Sequence, residues 1–395
     1  MNSTADCFIL YYEVREMRRK MLCGMMIIII GIISVTFISA DDSDDGKIPS
    51  AYVLMEADTG TVLEENYADK ELNAGYLGKL MSLLLIAEDI EKGEYALDTE
   101  LTASHNVTGT RGAVVWLQAG DKMTVDELLK SVIIGNANDA MTVLAEKSEG
   151  SVEAFTMRMN AAAFDLGLRN SAFYSPYGFY DEREHTTARE MALICAKLSG
   201  YDFLTPYFST WRDFVKDGAV ELVNENTLSR TFEPHIGFKA AHSDESRYCI
   251  AEGVRSDSGA LYVAVILGAQ DEDTSFSSAK KLCRKGLSDY KVTVTMFPDE
   301  MLMPVRVRNG KDFAVPIAIA QQGTLVIPKN SGELKTVTVL PDYLEAPVEK
   351  GQKIGSAAFY NGKNLVYEGD IVASESVEKL DYGFVLSKML CELAK

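Results

Sequence analysis

Three places in this chain carry side chains that could move a proton or hold an anion: Lys79, the Asn136-Ala137-Asn138 segment and Lys239. Lys79 ends the run Asn73-Ala74-Gly75-Tyr76-Leu77-Gly78-Lys79 and sits at the start of a helical pattern. Residues three apart on a helix are neighbours, so Lys79 shares a face with Tyr76. Lys239 follows Ile236-Gly237-Phe238, at what reads as the end of a strand. A helix lysine, a polar loop and a strand lysine are the supports of acyl transfer to a side-chain hydroxyl. The first lysine takes the proton, the loop hydrogen-bonds a peptide amide, and the strand lysine with an adjacent hydroxyl binds a carboxylate. Backbone N–H groups then hold the oxyanion. The hydroxyls are what this sequence lacks. Beside the first lysine stands the phenol Tyr76, the loop carries the amide of Asn136, and Lys239 is followed by the apolar pair Ala240-Ala241, so none of the three places offers a serine or threonine hydroxyl.

The replacements bear directly on the chemistry. A phenol on the long arm of Tyr76 cannot place its oxygen where a serine oxygen would sit. Ala240 offers no hydroxyl to a carboxylate, and Ala241 adds a methyl where a strand edge should approach a ligand closely. Gly78, inside the helical pattern, costs about 1 kcal/mol relative to alanine. Ser82, one turn after Lys79, reads as a structural hydroxyl rather than a substitute nucleophile. Purely structural roles stay open for the survivors. Lys79 could pair with a nearby carboxylate, Asn138 could shape an interhelical loop, and Lys239 could be an ordinary edge lysine.

The elements that must position these residues follow from patterning. Ala51 to Glu56 and Thr61 to Leu63 alternate around Asp58-Thr59-Gly60, which predicts a hairpin turning at Thr59-Gly60. From Tyr76 to Ile90, Leu77, Leu80, Met81, Leu84 and Leu85 form a helical stripe that Leu83 and Ile86 widen almost all round, the signature of a central helix. Thr124-Val125-Asp126-Glu127 is a capping box opening a helix through Ile133, and Thr187-Ala188-Arg189-Glu190 is another, opening Met191 to Leu198. Asn136 and Asn138 then lie in a tight interhelical loop, with Asp139 as cap of the next helix. Strands are expected at Tyr248 to Val254 and Leu261 to Leu267. From about Tyr290 short β-branched runs separated by Gly, Pro and Asn predict a second, all-β domain. Leu380 to Leu393 can form an amphipathic helix, docked on the protein surface or lying on a membrane.

Composition narrows the function. A chain of 395 residues with a net charge of −19 argues against nucleic acid, whose phosphates need clustered lysine and arginine. Four histidines without His-x-x-x-His spacing and widely scattered cysteines predict neither a metal site nor a disulfide scaffold, and no cofactor is expected. Cys249, in an apolar strand pattern, reads as a buried inert thiol. Arg15, Arg18, Arg19 and Lys20 precede the apolar run Met21 to Ala40, which has the form of a signal peptide, or of a membrane anchor if it stays uncleaved. Translation could begin at Met17 or Met21. The acidic stretch 41–47 reads as a linker.

These motifs and their surroundings resemble the low-molecular-mass penicillin-binding proteins, the serine-type D-alanyl-D-alanine carboxypeptidases of the bacterial cell wall. Beyond the three motifs the likeness includes Ala57-Asp58-Thr59-Gly60-Thr61-Val62-Leu63, Ser175-Pro176-Tyr177-Gly178, His185 to Ala192, Val223-Asn224-Glu225-Asn226-Thr227-Leu228 and Ala346-Pro347-Val348-Glu349-Lys350-Gly351. The resemblance implies a transpeptidase-like α/β (α+β) domain over 48–288, with helices on an antiparallel sheet. It implies a small β-sandwich over 289–375 and the C-terminal helix over 376–395. It also implies roles: Lys79 as general base, Asn138 as the amide-binding residue, Lys239 as the carboxylate-binding lysine, and His242 just beyond the third motif. Tyr76, Asn136, Ala240 and Ala241 occupy positions whose family residues are lost. The reading is an exported pseudoenzyme that binds peptidoglycan stem peptides or wall partners. The alternative is an active carboxypeptidase with a rerouted nucleophile.

Overall fold

A computed structural model describes residues 51–393 apart from 179–180, 295–302, 321–322 and 332–333. The expected signal segment and linker lie outside the described residues. The anticipated hairpin is present: β1 (Ala51–Glu56) pairs with β2 (Thr61–Asn66). Glu56, wholly buried, accepts hydrogen bonds from the Thr59 N–H at 2.9 Å and the Thr59 hydroxyl at 2.6 Å, which pins the turn. Three later strands, β3 (His235–Ser243), β4 (Arg247–Arg255) and β5 (Leu261–Ala269), complete an antiparallel sheet in the order β2-β1-β5-β4-β3. All nine residues of the central β5 are buried. Period-2 geometry sends alternate side chains to two cores. Val263, Val265 and Leu267 face one, and Tyr262, Ala264 and Ile266 face the other.

On the first face lies α1 (Lys79–Glu91), entered through a 3₁₀ turn at Gly75–Gly78. The sequence pattern over 76 to 90 is thus two conformations, and Tyr76 belongs to the tighter one. Leu77, Leu80, Met81, Leu83, Leu84, Leu85 and Ile86 are all at most 2 % exposed, so the helix is buried nearly all round. Each such side chain contributes about 1.5–3 kcal/mol as an upper figure, which outweighs the weak amphipathicity of the segment. Packed nearby are α2 (Val125–Ile133), α3 (Asn138–Glu149), α4 (Val152–Asp165) and α5 (Ala188–Leu198). The Thr124 capping box is complete, with Thr124 and Glu127 each bonding the other's backbone. At α5 only half of the expected box forms. Thr187 accepts from the Glu190 N–H, but the Glu190 carboxylate turns away to Arg169 N, Asn170 N and the Ser171 hydroxyl, groups that would otherwise lack this partner. The second face is covered by α6 (Glu272–Asp289).

The β-rich part begins at Tyr290, directly after α6. Strand Val305–Arg308 pairs with Ala314–Val315 and, in parallel, with Leu344–Glu345. A four-stranded sheet runs in the order Ile317–Ile319, Asn364–Ala373, Lys353–Asn361, Lys335–Val339. Val307 and Val315 from one sheet share a core with Ala357 and Ile371 from the other. The final helix, α7 (Tyr382–Leu393), forms as expected. It does not dock its apolar residues: Val385, Leu386, Met389, Leu390 and Leu393 are 42–82 % exposed. Among the described residues no helix is long and apolar enough to cross a membrane.

Candidate active site

Lys79 is the first residue of α1 and is completely buried. Its Nζ donates to the Asn136 carbonyl at 3.1 Å and to Asn136 Oδ1 at 2.8 Å. It also lies 4.5 Å from the centroid of the Tyr76 ring, a cation–π arrangement. A carboxylate partner for Lys79 was one structural expectation; two oxygens of Asn136 take that place instead. Asn136 reaches them because its backbone is left-handed, at φ +57°, a conformation asparagine tolerates better than most residues. On its other side Asn136 Nδ2 donates to Glu225 Oε1 at 3.4 Å. Burial pushes the Lys79 amine well below its ordinary pKa, and the nearby charge of Lys239 pushes the same way while Glu225 opposes both. Burial and then Glu225 raise the Tyr76 phenol.

Asn138 lies in the first turn of α3 rather than in the loop, because the helix begins at that residue. Its Nδ2 donates to the Arg111 carbonyl at 2.7 Å, and its buried Oδ1 has no partner. Asp139 does not cap that helix. Its carboxylate accepts from Val115 N, Leu117 N at 2.9 Å and Ala140 N at 2.9 Å, so it gathers the 115–117 loop against α3.

Lys239 sits in the middle of β3, opposite Ala251, and not at a strand end. The strand runs on through His242 because Ala240, Ala241 and His242 pair with Ile250, Cys249 and Tyr248. Lys239 is 3 % exposed, and its amine donates to the Val132 and Ile133 carbonyls at 3.2 and 3.1 Å. Those are carbonyls at the C-terminal end of α2, where a cation is stabilised. Burial lowers its pKa to about 8, against the pull of Glu225. Ala240 faces the α6 core and Ala241 the opposite one. A Cβ on Gly75 would come 3.9 Å from the Ala241 methyl, which therefore packs toward the 3₁₀ turn that carries Tyr76. His242 is exposed and stacks on Tyr248 with ring centroids 4.2 Å apart.

Ser82 is buried and donates to the Pro176 carbonyl at 2.9 Å, a structural role. Cys249 is buried and its thiol is pushed up to about 12 by desolvation. Two residues of this region carried no signal of their own in the sequence. Glu225 appeared only inside a matching segment, with nothing in its spacing to announce a charge facing both lysines. Glu184 is 6 % exposed, accepts from Tyr174 N at 3.1 Å and from Ser175 N, and has its pKa raised by burial to about 7. A Cβ on Gly78 would lie 3.4 Å from Glu184 Oε1, so this carboxyl backs the turn before Lys79.

Lys79, Asn136, Glu225 and Tyr76 are thus one contacting group, with Lys239 close enough to act electrostatically. Known proteins share this fold. A family described as D-alanyl-D-alanine carboxypeptidase matches residues 41–271, more than half of the chain. The chain belongs to that family. The C-terminal domain of penicillin-binding protein 5 matches residues 292–379. D-alanyl-D-alanine carboxypeptidase DacF of Bacillus subtilis is 27 % identical over 381 residues, covering 93 % of this chain and 98 % of the relative. DacC of Escherichia coli is 29 % identical, covering 83 % and 84 %. Penicillin-binding protein 5 of Haemophilus influenzae superposes with a TM-score of 0.77 at 22 % identity, covering 85 % of this chain and 99 % of that one. The carboxypeptidase DacD of Francisella tularensis gives 0.71 at 24 % identity, covering 87 % and 100 %. The fold is that of the transpeptidase-like carboxypeptidases with a β-rich C-terminal domain. The family acts on the D-alanyl-D-alanine end of peptidoglycan stem peptides. In this member, Lys79 meets an aromatic ring and an asparagine. Among the described residues no group of His, Cys, Asp and Glu is arranged to hold a metal ion.

Proposed function

We propose that this protein is an exported member of the carboxypeptidase family that binds peptidoglycan stem peptides or wall partners without forming an acyl-enzyme. The observation that carries the reading is the contact between Lys79 and the Tyr76 ring at 4.5 Å. A general base is useful only if its amine meets the hydroxyl that must attack. Here the amine is held by Asn136, and the Tyr76 ring covers it. The absence of a hydroxyl at Ala240 supports the same conclusion from the carboxylate side. Ser82 does not rescue catalysis, since it is buried and committed to Pro176. Residual catalysis is all that is expected when a nucleophile is lost from groups that act together. The signal-like segment before residue 41 supports export.

The test is intact-protein mass spectrometry after exposure to penicillin. The expected spectrum carries no added mass. A stoichiometric adduct, whether on Tyr76 or Ser82, would overturn the reading.

A further inference from the structure

Trp116 is 67 % exposed, and its backbone is left-handed, at φ +55°, a conformation that bulky residues rarely adopt. Val115 and Leu117, on either side of it, are buried. Their N–H groups both donate to the Asp139 carboxylate, and the Trp116 carbonyl accepts from Lys216 Nζ at 3.3 Å. Lys216 also pairs with Asp121, whose carboxylate takes the Gln118 N–H at 3.0 Å. The loop is pinned before, at and after the tryptophan, and the result is an indole held in water. The same loop supports the candidate site, because the Arg111 and Ala113 carbonyls accept from the Asn138 side chain and backbone N–H. Lys216 lies in the turn of a hairpin, Arg212–Val215 with Val220–Val223, that leads straight into Asn224 and Glu225. Leu222 of that hairpin packs on Gly135, where a Cβ would come 2.6 Å from it. Left-handed backbone at non-glycine residues recurs in these connected segments, at Trp116, Asn136, Lys216 and Asp217, and such strain gathers at ligand sites. Trp116 thus belongs to the rim of the face that holds Lys79, Asn136 and Asn138.

We infer that Trp116 is a stacking platform for a sugar ring of an N-acetylated glycan, the strand to which stem peptides are tethered. The choice of sugar rests on the reading of this protein as a peptidoglycan binder, since a chain that engages the peptide lies beside the glycan that carries it. The size of the apolar surface agrees. Val115 and Leu117 turn inward, and Gln118, Asp121 and Lys216 beside the tryptophan are polar, so the loop offers apolar area one indole wide. A protein partner needs a broad contiguous patch. A pyranose needs one flat ring for its C–H face and a few polar neighbours for its hydroxyls.

The chain has two tryptophans, so Trp211→Phe leaves Trp116 as the sole indole emitter. Titrating the full-length Trp211→Phe chain with N-acetylglucosamine tetramer should shift its emission to the blue, saturably, as the ring is covered. Calorimetry with the same sugar on the otherwise unaltered chain should show binding that Trp116→Gly weakens at least about tenfold and Trp116→Phe weakens less. Glycine accepts left-handed backbone without strain, so Trp116→Gly should melt no lower than the parent while losing the sugar. A purely structural indole would instead cost stability when removed. An emission spectrum that the tetramer leaves unchanged, undiminished sugar binding by Trp116→Gly, or a Trp116→Gly chain that melts well below the parent would overturn the inference. Diacetyl-lysyl-D-alanyl-D-alanine, titrated in parallel, separates this from the peptide reading. If that peptide binds and the tetramer does not, the peptide reading stands and the platform fails. If the tetramer binds at Trp116 and the peptide does not, the platform holds and the D-alanyl-D-alanine end is not the ligand. If neither binds, both fail.

Discussion

Replacing Asn136 should expose how the buried Lys79 amine is held. Asn136 supplies both acceptors of the buried Lys79 amine, at 3.1 Å from its carbonyl and 2.8 Å from its side chain. Asn136→Gly deletes the side-chain acceptor and leaves the carbonyl. A hydrogen bond of this kind is worth about 0.5–1.5 kcal/mol to a neutral amine and about 1.5–3 kcal/mol to a charged one. Asn136→Ala removes the same acceptor and also forces a β-carbon into a backbone at φ +57°, which adds about 1 kcal/mol. The alanine variant should therefore be the less stable of the two by that amount. The bond itself is isolated by a cycle with Lys79→Met, where no amine remains to be satisfied. Urea unfolding of the parent, both single variants and the pair should give a coupling energy of about 1–3 kcal/mol. A coupling near zero, or equal stabilities for the alanine and glycine variants, would refute the reasoning.

Other outcomes follow from the same geometry. On the proposed reading, Tyr76→Ser alone should not restore labelling by a fluorescent penicillin, because Asn136, Ala240 and Ala241 would still leave the relay and the carboxylate site incomplete. The fourfold change Tyr76→Ser, Asn136→Ser, Ala240→Thr and Ala241→Gly should label at least slowly, and ready labelling of the single variant would contradict this. Glu184, with its pKa raised to about 7 in the fold against about 4.5 when unfolded, contributes stability that is present below pH about 4.5 and lost as pH rises through about 7. Relative to Glu184→Gln, the parent should therefore lose urea stability between pH 5 and 8, on the order of 1 kcal/mol or more; a flat difference would refute it. Asp139→Ala should cost at least about 3 kcal/mol, because it orphans the buried N–H groups of Val115 and Leu117 together with that of Ala140, and a melt unchanged from the parent would exclude it.

Patterning alone determined the parts of this protein that depend on local periodicity and on residue identity. The alternation of 51–63 specified the hairpin, the near-continuous apolar stripe after Tyr76 specified a central buried helix, and the β-branched runs after Tyr290 specified the second all-β part. The identity of the side chains at Tyr76, Asn136 and Ala240 was legible because it concerns which atoms exist, and no fold can supply an oxygen to the Ala240 side chain. Tertiary structure decided where the remaining polar atoms spend their hydrogen bonds. Asp139 and Glu190 look like caps in the sequence, but their carboxylates serve loop N–H groups brought to them from elsewhere in the chain. Lys239 looks like a strand end, yet pairing with β4 carries the strand onward and the carbonyls of α2 claim its amine. The partner of Lys79 was likewise undecided by spacing, since a buried amine takes whichever oxygen packing delivers. The left-handed turn at Asn136 delivers two. Local sequence encodes which groups must be satisfied, and only the packed chain determines which partner lies within about 3 Å to satisfy them.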